Sequence, residues 1–99
     1  MDQYRQGDVL IERVDAIPAE AVRVAGEIIL AHGEATGHAH RVTGRTAKLF
    51  EKHGERFLKL DYKARVVHQE HAAIALDPGV YRVSRQREYF PEAVRNVAD

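Results

Sequence analysis

Glycine or proline interrupts this chain at positions 7, 18, 26, 33, 37, 44, 54, 78, 79 and 91, and the segments between are too brief for several good helices. A mostly β chain follows. The spacing predicts strands over 9–14, 27–31, 63–68, 72–76 and 80–87, where β-branched and apolar residues recur or alternate. Alanine-rich 19–25 has room for one helical turn before Gly26, and 92–97 for another. A hairpin is expected over 46–61, folded about His53-Gly54. Pairing outward sets Lys52 against Glu55, Glu51 against Arg56, Phe50 against Phe57, Leu49 against Leu58 and Ala47 against Leu60, with Lys48 against Lys59 the one like-charge pair. The expected fold is one mainly β domain over 1–99, a small antiparallel barrel or sandwich of about seven short strands with one or two helical turns at most.

Composition narrows the chemistry. The 99 residues include no cysteine, which removes thiolate metal sites, iron–sulfur ligation and thiol catalysis. Fifteen basic residues balance fifteen acidic ones, so the basic excess that supplies phosphate affinity is missing and nucleic acid is not the expected partner. A small neutral chain tends to self-associate, so a homodimer or a protein partner is expected. The N-terminus is polar from the first residue and no apolar run is long enough to span a bilayer, which reads as a cytoplasmic protein.

Histidine is in surplus, six in all, and four stand in two tight pairs. In Gly37-His38-Ala39-His40-Arg41-Val42 the two-residue strand period places His38, His40 and Val42 on one face. Two imidazoles beside an apolar position suit a divalent metal, since each neutral ring offers one nitrogen while its other is held by a neighbour. The second pair, His68 and His71, is three apart and shares a face only if the chain breaks at Gln69-Glu70. His68, on the Val66 face, could then join His38 and His40, with His71 or Glu70 completing the shell. Glu70 and Glu34 are the carboxylates placed for acid–base work. Such a set suits zinc, iron, manganese, nickel or copper, and donor type does not choose among them. The plainer alternatives are solvent-facing histidines, a half-buried His68, and turn residues at His32, His53 and His71.

His38-Ala39-His40 resembles the His-x-His element of the cupins, which implies a β-barrel metalloenzyme acting on a small molecule. Two departures stand beside it. Gly44 and Arg45 occupy the places of the expected glutamate, and Asp77-Pro78-Gly79 follows the second histidine pair instead of preceding it. The segments Thr36-Gly37-His38-Ala39-His40 and Gln86-Arg87-Glu88-Tyr89 are similar to a small bacterial protein family without an assigned role.

Arg82 to Tyr89 is the other feature with chemical potential. Arg85 and Arg87 would share a strand face with Tyr89 and could grip a phosphate or carboxylate, or an RNA base, by forked hydrogen bonds and stacking. The plainer alternative is a solvated edge strand whose charges discourage edge-to-edge pairing. No phosphate-binding glycine loop, serine elbow or His-Glu-x-x-His helix is present. The leading expectation is a divalent-metal protein with a small-molecule ligand; the other is a non-catalytic interaction module working through Arg85 and Arg87.

Overall fold

A computed structural model describes residues 3–32 and 37–85. Ten strands run along them: β1 (Gln3–Gln6), β2 (Val9–Val14), β3 (Val22–Val24), β4 (Ile29–His32), β5 (Ala39–Thr43), β6 (Lys48–Lys52), β7 (Glu55–Leu60), β8 (Ala64–Val67), β9 (Ile74–Leu76) and β10 (Gly79–Arg85). They form a six-stranded sheet ordered β1-β2-β10-β7-β6-β3 and a four-stranded sheet ordered β4-β5-β8-β9. Neighbouring strands pair antiparallel throughout. The result is a sandwich-like fold of two open sheets, not a closed barrel.

Alternation builds the core. Val9 and Ile11 of β2, Tyr81 and Val83 of β10, Leu58 and Leu60 of β7 and Leu49 of β6 face Leu30, Val42, Ala64, Val66 and Leu76 of the smaller sheet in one apolar cluster. Full burial stabilises each large member by about 1.5–3 kcal/mol. Arg56 ties the layers together, donating to the carbonyls of Ile29 (2.7 Å) and Leu30 on β4. Gly44 and Ala64 mark a close approach between the ends of β5 and β8. A Cβ added at Gly44 would stand 2.7 Å from the Ala64 Cβ and 3.1 Å from its Cα. Gly44→Ala is therefore expected to destabilise the fold by about 1–3 kcal/mol, read as a lower urea midpoint; an unchanged midpoint would show that the two strands part freely.

Three sequence expectations change. The hairpin pairs as expected from Lys48↔Lys59 to Lys52↔Glu55. The alanine-rich segment, in contrast, yields strand β3, because Val22 and Val24 alternate and find β6 as partner. β10 lies between β2 and β7, so the arginine row up to Arg85 is not on an edge strand. The polar segment Gln3–Gln6, not expected as a strand, pairs with β2 from Gln3↔Glu12 to Gln6↔Val9. The expected turn at 92–97, with Glu34 and Arg87, lies outside the described residues. Among the described residues no helix is long and apolar enough to cross a membrane.

Candidate metal centre

The β5–β8 ladder carries the histidines together. Its pairs Arg41↔Val67, Val42↔Val66 and Thr43↔Arg65, continued by one residue, set His40 opposite His68, and continued by three, His38 opposite Glu70. Gln69 holds that extension in place. Its Oε1 accepts from the Ala39 amide (3.0 Å) and its Nε2 donates to the Gly37 carbonyl (3.1 Å), bracketing His38. The chain then bends through 69–71 and returns His71 to the same place. Ring centroids are 4.3 Å apart for His40 and His68, 4.6 Å for His68 and His71, 5.7 Å for His38 and His68, and 5.9 Å for His40 and His71. The four histidines singled out in the sequence thus form one cluster.

His40 is the buried member, 2% exposed. Its protonation is fixed by Gln6. The Gln6 Nε2 donates to two carbonyls, Val66 at 3.0 Å and Ala72 at 2.9 Å, so the amide cannot turn over without facing oxygen to oxygen. The Gln6 Oε1 must then accept, and His40 Nδ1–H donates to it at 2.7 Å. Neutral His40 is left with its lone pair on Nε2. That atom stands 4.0 Å from Oδ1 of Asp8. Between Gln6 and Asp8 comes Gly7, at φ +59°, where an added Cβ would fall 2.9 Å from His71 Nε2 and 3.4 Å from His40 Cε1. A two-residue turn between β1 and β2 thus presses against the cluster with no side chain in the way.

The electrostatics keep His40 in its lone-pair form. Burial first, then His68, with His71 and Arg85 adding, push its pKa down to about 4 against the opposing pull of Asp8. Burial and the neighbouring His71 and His38 also lower His68, with Glu70 and Asp8 opposing. His68 Nδ1 accepts from the Glu70 amide at 2.9 Å. Glu70 itself is exposed, with Oε2 3.7 Å from His38 Nδ1, near enough for attraction and too far for a hydrogen bond. Among the described residues no three His, Asp or Glu side chains already converge closely enough to hold a metal ion.

Residues 5–86 match the family described as a domain of unknown function, DUF8820. The chain belongs to this family. No curated protein and no solved structure matches it, and the cupin resemblance has no counterpart in these comparisons. The span matched to DUF8820 takes in Gln6, Asp8, Glu34, the four clustered histidines, Glu70 and Arg85, and stops short of Arg87.

Arg85 in this DUF8820 domain is already engaged: Nε donates to Asp8 Oδ2 and one terminal nitrogen to the His32 carbonyl, each at 2.7 Å. It also lines a cavity of about 650 Å³ with Arg56, Arg82, Ser84, Glu12 and Glu55. Arg82 is paired there with Glu12 at 2.9 Å. The two remaining histidines stand apart, His32 at the end of β4 and His53 in the β6–β7 turn at φ +50°. Sequence reasoning missed Gln6, Asp8 and Gln69. A signal for the first two was present in Gln6-Gly7-Asp8, a glycine-aspartate pair ahead of an apolar strand, but the strand before it is too polar to be recognised.

Proposed function

We propose that this domain binds a divalent transition-metal ion at the cluster of His38, His40, His68 and His71. The observation that carries this reading is His40: a buried imidazole with one nitrogen committed to Gln6 and the other lone pair left beside the rings of His68 and His71. A metal-binding histidine is oriented in this way by a partner on its far nitrogen. Two imidazoles on one tetrahedral ion have ring centres roughly 5 Å apart, given bonds of about 2.0–2.1 Å. The cluster's separations of 4.3–5.9 Å bracket that value. His68 joins by giving up its bond to the Glu70 amide, so His40 binds with less rearrangement.

Zinc, iron, manganese, nickel and copper all accept such donors. An ion held there supplies Lewis-acid or water-activating chemistry. Glu70, exposed beside His38, is the carboxylate placed to move a proton at that rim. A small-molecule ligand would sit in the cavity of about 650 Å³ that Arg85 lines.

Protein purified without a histidine tag is expected to take up one divalent ion per chain, measured by elemental analysis and by calorimetric titration with zinc or cobalt. His38→Ala with His40→Ala should abolish uptake. Wild-type protein that stays metal-free in these titrations, with unchanged thermal stability, would sink the reading.

A further inference from the structure

We infer that Asp8 supplies an oxygen ligand to this centre, making it a mixed imidazole–carboxylate site. The inference rests on the metal reading above and adds a donor from a different part of the chain. His40 Nε2 and Asp8 Oδ1 face each other at 4.0 Å. The His40 proton is on Nδ1, held by Gln6, and an ionised carboxylate has none to offer. Two lone-pair atoms therefore confront each other with no hydrogen between them. A cation resolves that confrontation. Metal–nitrogen and metal–oxygen bonds of about 2.0–2.2 Å span roughly 3.4 Å at a tetrahedral angle and about 4 Å when nearly in line, so closure by about 0.6 Å or less is enough.

Both donors are aimed from behind. Gln6 holds the far nitrogen of His40, and Arg85 holds the far oxygen of Asp8 at 2.7 Å while itself anchored on the His32 carbonyl. Ligating carboxylates are commonly oriented by such outer hydrogen bonds, as ligating histidines are. Gly7 completes the arrangement, since any side chain there would enter the space between His71 and His40. The turn joining β1 to β2 thus contributes an orienting amide, clearance and a carboxylate in three consecutive residues. Two or more imidazoles with one carboxylate suit manganese and ferrous iron better than an all-nitrogen set does, and zinc accepts either.

The test is a cobalt(II) titration of the full chain, wild type against Asp8→Asn, following affinity and the visible absorption bands. Loss of a ligand is expected to weaken binding by about 10–100-fold or more and to change the bands, since even outer-shell losses cost that much. Equal affinity with an identical spectrum would overturn the inference and leave the histidine centre standing. No cobalt uptake by the wild type would defeat the parent reading instead. Should Asp8→Asn fail to fold, the Asp8 carboxyl ¹³C resonance of the wild type is followed on zinc addition. A large shift supports ligation, and a resonance that stays put overturns it.

Discussion

Gln6→Leu is expected to cost the metal-free protein about 3 kcal/mol, because the change removes the amide's bonds to the Val66 and Ala72 carbonyls and takes the acceptor from buried His40 Nδ1. In a domain of this size the thermal midpoint should drop by roughly 10–20 °C. Leucine fills similar space, so the loss reports polar satisfaction, not volume. Gln6→Glu sharpens the point. It preserves shape but turns a carboxylate oxygen toward both carbonyls, and at pH 7 it should be about as damaging as leucine. Gln6→Leu also removes the acceptor that fixes the His40 tautomer, so its zinc affinity should fall with its stability, whereas Gln6→Glu keeps an oxygen on Nδ1–H. A Gln6→Glu midpoint within 2–3 °C of wild type, well under 1 kcal/mol, would refute the role assigned to the amide.

The second large effect is on pH. His40 has a folded pKa of about 4 against an ordinary value of 6.5, lowered by burial, His68, His71 and Arg85 and opposed by Asp8. As pH falls, the unfolded chain takes up this proton first, so stability is full above about 6.5 and declines down to about 4. Below that both states are protonated and the group adds nothing further. At about 1.4 kcal/mol per unit the loss is roughly 3 kcal/mol. His68, lowered mainly by burial, acts in the same direction. Urea midpoints in the presence of a chelator should fall between pH 7 and 4, and His40→Gln should flatten that decline. A curve unaffected by the substitution would mean that another group controls it.

The hairpin at 46–61 was legible because its turn and cross-strand charges agree on a single register. The histidine face of β5 was legible from the two-residue period. His68 was legible only as a candidate, since its place opposite His40 depends on β5 pairing with β8, a contact across more than twenty residues that local pattern does not encode. β1 was invisible because Gln3, Arg5 and Gln6 carry no apolar period. What makes it a strand is its partner β2 together with the Gln6 amide reaching across to β8. The helical turn expected at 19–25 failed for the opposite reason, a local alanine bias too short to resist β pairing of Val22 and Val24.

Among the described strands, β1 stands at the end of its sheet's order, next to β2. Edge segments open in smaller steps than the whole domain does. When β1 lifts, Gln6 leaves His40 and the buried imidazole meets solvent. On the proposed metal reading, entry and escape of an ion would follow the peeling of these four residues instead of unfolding. Amide exchange in β1 and the rate at which a strong chelator strips the centre should therefore share one time constant.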